Sequence, residues 1–332
     1  GDLHVPLPSD AGLGGVLLRS PNRLSSVALA ALLSLSGLFL SGCELTESSL
    51  AEPDDVLIAE GYIRVGDGLD QITVFLHWAV GTGSAEALQE ASVVIFPEGK
   101  PELPLERTSP LSCLRSDTPE EIEGVCFAPP DQEDGLIEPG ERAELQVRLP
   151  DGRELQGGTE VPENIQLIRP SSSSFCDLPP LKHVEFLWNS SSGAWAYSAE
   201  AELSGLRAAL EPQGIVAEED SVALLGLAVS DSDTTIVFPR EFGVFNRFEL
   251  QQDVALALQG GLPLGSQGVV TVAALDRNYV NWLRGGNFNP SGAVRISSLR
   301  GDGIGVLASA VRRFVRVFGA ERGGFPSCLE GG

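Results

Sequence analysis

Methionine is absent from the 332 residues, lysine occurs twice and histidine three times. Schiff-base chemistry therefore has only Lys100 and Lys182 to draw on, and a histidine-ligated metal only His4, His77 and His183, which are scattered along the chain. Positive charge is scarce too: 22 Lys and Arg face 46 Asp and Glu, a formal net charge of -24. A partner gripped through its phosphates needs a basic face, so nucleic acid is excluded. No G-x-S-x-G, H-E-x-x-H, P-loop or C-x-x-C motif occurs, which removes the usual signatures of serine hydrolases, zinc peptidases, nucleotide-binding enzymes and zinc sites. Metal, cofactor and catalytic residues are all expected to be none.

What is present is a globular composition, 42% hydrophobic and 20% charged, with 38 Gly and 22 Pro to make turns. At roughly 100 to 200 residues per domain the length predicts two domains.

Arg19 and Arg23 precede an apolar run from Val27 to Leu40, which leads into Leu40-Ser41-Gly42-Cys43. As a helix the run rises only about 21 Å, short of the roughly 30 Å hydrocarbon core, so it reads as a signal peptide rather than a permanent anchor. The L-S-G-C ending resembles the bacterial lipobox, whose Cys is thioether-linked to diacylglycerol before cleavage. The resemblance implies that residues 1–42 are removed and that lipidated Cys43 becomes the first residue. With no Met at position 1, residues 1 to about 18 are expected to be extra sequence ahead of the natural start. Several acyl chains, at about 0.8 kcal/mol per buried methylene, hold a protein on a membrane without a spanning helix. Glu44 is not the Asp that bacterial sorting rules associate with retention in the inner membrane. The expected location is the outer membrane, on its periplasmic side or at the cell surface.

Export leaves Cys113, Cys126, Cys176 and Cys328 in an oxidising compartment, and an even number fits disulfides. Of the three possible connectivities, Cys113 with Cys126 across an acidic loop and Cys176 with Cys328 at the chain end are favoured.

Residues 43–53 read as a polar tether. Over 54–169, short β-branched segments (Val56–Val65, Gln71–Val80, Ala91–Phe96, Ala143–Leu149) alternate with Gly, Pro and acidic turns, predicting an immunoglobulin-like or transthyretin-like sandwich. The Ser- and Pro-rich stretch 170–180 reads as a linker. A second β domain is predicted over 181–332. There His183–Trp188 and Ala194–Leu203 flank an Asn-Ser-Ser-Ser-Gly turn as a hairpin, and Gln251–Gln259, ending at Gly260-Gly261, forms a helix. The spacing of Trp188, Tyr197 and the VTVAALD strand resembles a fibronectin type III module. The expected fold class is mainly β, two sandwich-like domains in succession.

Charge divides unevenly. Residues 43–180 carry 8 basic and 28 acidic side chains, net -20, whereas 181–332 carry 12 and 16, net -4. From residue 270 onward 8 Arg meet 4 acidic residues, net +4, and this basic tail is expected to dock against the acidic half. An anion or substrate site is the alternative, since the Arg fork matches carboxylates. Gly301-Asp-Gly-Ile-Gly305 lacks the third spaced Gly and the βαβ setting of a dinucleotide loop and reads as a turn. Asp131–Glu141 offers oxygen ligands but misses the EF-hand spacing.

The stretch 276–292, DRNYVNWLRGGNFNPSG, gathers Arg277, Asn278, Tyr279, Asn281, Trp282, Arg284, Asn287, Phe288 and Asn289. Aromatic faces stack on apolar ligand surfaces while Asn and Arg satisfy polar atoms, which suits a saccharide or a peptide. These nine residues are the candidate ligand-binding set. The competing reading makes the Asn and Gly turn residues and the aromatics core.

The lipobox, VLIAEGYIRV, EPGERAELQVRLPDGREL, GGTEVP and VAALDRNYVNWLRGGNFNPSG with GDGIGV together resemble an exported bacterial lipoprotein family classed as a domain of unknown function. The likeness spans most of residues 43–310 and departs from the family pattern at Gly305–Ser309, where an aromatic and a Gly are expected. Genes of that family often lie beside those of TonB-dependent outer-membrane receptors. The resemblance therefore implies a non-catalytic accessory or binding component, with an outer-membrane receptor as partner and the membrane engaged through the N-terminal lipid. A purely structural envelope component and a carbohydrate- or peptide-active hydrolase are the alternatives.

Overall fold

Burial alternates residue by residue along Leu57–Val65 (β1), where every odd-numbered residue is buried. That is the period-2 signature of a strand with one face in a core. The computed structural model describes residues 55–67, 70–79, 83–113, 123–131, 135–170, 174–228, 230–244, 251–284, 296–321 and 324–329. Cys43, Asn287, Phe288 and Asn289 lie outside them. β1 pairs with β2 (Gln71–Trp78), and the sheet continues through β5 (Gly124–Ala128) to β4 (Leu103–Thr108). β4 also pairs with β3 (Ser92–Pro97), and from there the sheet runs through β6 (Arg142–Arg148) and β7 (Glu154–Glu160) to β16 (Arg300–Gly301). The two arms joined at β4 share one buried cluster that includes Ile63, Ile72, Ile95, Leu145 and Leu155. Ser84 caps the short helix α1 (Ala85–Gln89) by accepting the Ala87 N–H at 3.2 Å.

In the second half, β11 (Ala196–Ser204) lies between β12 (Ser221–Ala228) and β15 (Gln267–Leu275), with β14 (Gly243–Val244) beyond β12. A separate three-stranded sheet holds β8 (Leu167–Arg169), β10 (Val184–Trp188) and β13 (Thr235–Phe238). The expected hairpin of 183–188 with 194–203 is therefore corrected: β10 and β11 belong to different sheets. Trp188 and Tyr197, both about 1% exposed, meet edge to face with centroids 5.5 Å apart. Ser191 donates its N–H to the Tyr197 hydroxyl at 2.7 Å, fixing the crossing. Short helix α2 (Leu206–Leu210) and α3 (Gln252–Gly260) complete this half, and α3 coincides with the predicted helix, turning Val254 and Leu258 inward.

The 17-residue strand β17 (Gly303–Gly319) serves both halves. Its first part runs parallel to β1, from Leu57↔Gly303 to Val65↔Val311. Its second part runs antiparallel to β15, from Leu275↔Ala310 to Gln267↔Phe318, and its end pairs with β9 (Phe175–Leu178). Gly305 permits the parallel pairing, because a Cβ there would sit 2.0 Å from the Ala59 carbonyl oxygen. Gly301, at φ +128°, makes the preceding turn.

Two expectations change accordingly. Residues 54–332 form one compact unit, so the division into 54–169 and 181–332 does not separate two bodies. Within the stretch read as a linker, Phe175–Leu178 form β9 and Cys176 is buried. The fold class stands as expected: mainly β and sandwich-like. Both expected disulfides are present, Cys113–Cys126 and Cys176–Cys328, with Cα atoms 5.8 and 4.9 Å apart. Among the described residues no helix is long and apolar enough to cross a membrane.

Candidate functional site

At the end of β15 the chain turns at Asp276 into α4 (Arg277–Arg284), so the candidate ligand-binding stretch starts with a helix. Asp276 is its N-cap: Oδ1 accepts the Tyr279 N–H at 2.7 Å and the backbone carbonyl accepts the Val280 N–H at 3.3 Å. Thr159 of β7 donates its hydroxyl to the other carboxylate oxygen, and its Oγ1 lies 2.9 Å from Ser309 Oγ of β17. The Asn278 amide donates to the carbonyls of Gly158 and Leu307, each at 2.9 Å. These bonds clamp the first turn of α4 to both β7 and β17. Burial raises the Asp276 carboxyl above its ordinary value, and the bonds from Thr159, Tyr279 and Ser309 offset only part of that.

Above this floor opens a groove of about 450 Å³, with Arg142, Glu144, Glu160, Trp195 and Arg277 among its walls. Trp195 is 46% exposed and donates its backbone N–H to the Leu275 carbonyl at 2.8 Å. The Arg277 guanidinium lies over its ring, 4.9 Å from the centroid. Arg142 donates from Nε and Nη2 to the same Glu160 oxygen at 3.3 and 3.2 Å, and both side chains remain largely exposed. One aromatic face, two guanidinium groups and two carboxylates thus converge on one recess.

The nine sequence candidates divide. Arg277 and Asn278 line the groove, although Asn278 is committed to backbone carbonyls. Tyr279 packs against Tyr62 at 5.6 Å. Trp282, 4% exposed, is buried with Val306 and Ala308. Asn281 is half-buried and Arg284 exposed at the helix end. The aromatic member of the groove is Trp195, which the sequence assigned to a core hairpin; its partners Arg142 and Glu160 carried no expected role, since β7 was not among the expected strands and Arg142 lies one residue ahead of the expected Ala143–Leu149. No local signal separates Trp195 from Tyr197, since residues two apart share one face of a strand; Trp195 is exposed because β11 begins only at Ala196.

The basic tail is partly used as expected. Arg313 pairs with Asp67 at 3.3 Å and donates to the Ile165 carbonyl at 3.0 Å, tying β17 to the first half. In the Asp131–Glu141 stretch, Glu141 pairs with Lys100 at 2.8 Å. Among the described residues no group of three His, Cys, Asp or Glu is placed to hold a metal ion.

No protein-family model matches the chain. No curated protein matches it. Among solved structures, the fibronectin(III)-like modules of Clostridium thermocellum CbhA align with 79% of this chain and 90% of their own at 10% identity, with a TM-score of 0.19. At that score the architecture rests on the strand pairings described above.

Proposed function

We propose that this is an exported, lipid-anchored, non-catalytic envelope protein that binds a saccharide or peptide in the Trp195 groove. The observation that carries the reading is an exposed indole, braced by Arg277, set beside a second guanidinium and two carboxylates over a buried polar floor. An indole face takes the apolar side of a sugar ring or a peptide side chain, and the charged rim orients its polar atoms. Binding fits better than catalysis. Thr159 and Ser309, the hydroxyls beneath the groove, are buried and bonded to each other, while His77 and His183 contact the carbonyls of Trp78 and Gln259 elsewhere. The apolar run before Leu40-Ser41-Gly42-Cys43 supports the anchor, and resemblance to lipoproteins encoded beside TonB-dependent receptors supports an outer-membrane receptor as partner.

Titration of the purified protein with oligosaccharide and peptide panels, followed by tryptophan fluorescence, tests the reading. Saturable binding that weakens at least about tenfold in both Trp195→Ala and Arg277→Ala is expected. Equal binding by folded variants, or a panel without any selective ligand, overturns it and leaves a structural envelope component. Affinity capture from gently solubilised membranes tests the partner, and recovery of the lipoprotein alone removes the receptor.

A further inference from the structure

A second recess, of about 410 Å³, shares no lining residue with the Trp195 groove. It lies along one face of the sheet formed by β1, β17, β15 and β11. The register explains its contents: Arg64 stands opposite Ala310 and Gln71, and Arg312 stands opposite Ala273, which faces Ser198. Alternate residues share a face, so two guanidinium groups from neighbouring strands enter one trough.

Their local bonding is incomplete. Arg64 lies over the Tyr62 ring, its guanidinium carbon 4.8 Å from the centroid. Arg312 donates Nη1–H to Gln71 Oε1 at 3.2 Å, whereas its Nε–H is shut away from solvent without a hydrogen-bond partner. A guanidinium has five N–H donors and no acceptor, and buried donors are almost always satisfied. Burial depresses the Arg312 proton affinity, and the like charge of Arg64 depresses it further. The attractions of Tyr279, Asp70 and Glu200 offset this only in part. A negative group between the two guanidinium groups offsets their like charge, which Glu200, also lining the trough, does only in part.

We propose that this trough binds a small organic anion, its carboxylate or phosphoryl oxygens held between Arg64 and Arg312. The planar Arg fork matches either oxyanion. The apolar body of such a solute would rest on Ala273 and Leu275, with the Thr271 hydroxyl as a further polar contact. The site is independent of the saccharide or peptide reading of the other groove.

Calorimetric titration of the purified full chain in detergent, with succinate and inorganic phosphate as probes, tests it. Saturable binding of at least one probe is expected, weakened about tenfold or more in Arg64→Gln and in Arg312→Gln and unchanged in Arg284→Gln. Succinate alone would identify a carboxylate source, phosphate alone a phosphoryl source, and binding of both the shared oxyanion. Absence of saturable binding by either probe, or equal affinity in the Arg64 and Arg312 variants, overturns the proposal. If Arg312→Gln does not fold, Arg64→Gln decides.

Discussion

Thr159 and Asp276, 117 positions apart in sequence, share a buried hydrogen bond that joins β7 to the start of α4. Ser309 of β17 completes the cluster at 2.9 Å from Thr159 Oγ1. Three segments of the chain are thereby fixed beneath the Trp195 groove.

The raised Asp276 carboxyl makes that cluster pH-dependent. Folding favours the protonated acid, so its contribution to stability is fully present below the ordinary value of 3.8 and is lost as pH rises through the higher folded value. Asp276→Asn is expected to remove this downward slope, whereas Asp276→Ala costs about 1–3 kcal/mol because Thr159 and the α4 N-terminus lose their acceptor. Urea unfolding of wild type and both variants across acidic and neutral pH checks the sign. An unchanged slope in Asp276→Asn would contradict it.

Trp282 and Arg284 should behave oppositely although two positions apart. Trp282→Ala empties a buried site beside Val306 and Ala308 and is expected to cost about 3–5 kcal/mol. Arg284→Ala, at an exposed helix end, should stay within about 0.5 kcal/mol. Denaturant midpoints of the two variants measure the contrast.

The two disulfides close loops of very different size, with sequence separations of 13 and 152. Chain entropy assigns roughly 3 kcal/mol to the shorter and roughly 5 to the longer, so the Ser pair at 176 and 328 should be the more destabilising. Mass spectrometry after alkylation should label none of Cys113, Cys126, Cys176 and Cys328 without reductant and all four with it.

Lys100 and Glu141, 2.8 Å apart, join two turns of the first half. Burial pushes the Glu141 carboxyl up, but hydrogen bonds from Lys100 and the Glu138 N–H outweigh it and hold the group below its ordinary 4.5. The contribution is present above the ordinary Glu value and disappears as pH falls through the lowered one. Glu141→Gln should cost up to about 1 kcal/mol at pH 7 and progressively less in acid, read as converging thermal midpoints.

Strands with strict alternation, such as β1 and β6, were legible to within about a residue because each carries its own period-2 pattern. The helix over 252–260 was legible from its apolar spacing and terminal Gly pair. The pairing of β10 with β13 instead of β11 was not, since the short Ser-Gly turn is compatible with a hairpin and only the Trp188–Tyr197 contact decides. The strand in PSSSSFCDLPP was hidden because its partner lies about 140 residues onward in β17. Within the candidate site, Arg277 was visible beside its aromatics, whereas Trp195 and Arg142 reach the groove through sheet register across more than 50 residues of chain. The helical period of DRNYVNWLR, with Asp at the cap, was available as a signal that most of its aromatic surface turns inward.

Because β1 pairs with the first nine residues of β17, the opening strand of the fold has to wait for nearly the last. A chain synthesised from its N-terminus leaves β1 without this neighbour until some 240 further residues have followed. Until then the N-terminal half is an unfinished sheet whose exposed edge is open to pairing with other chains.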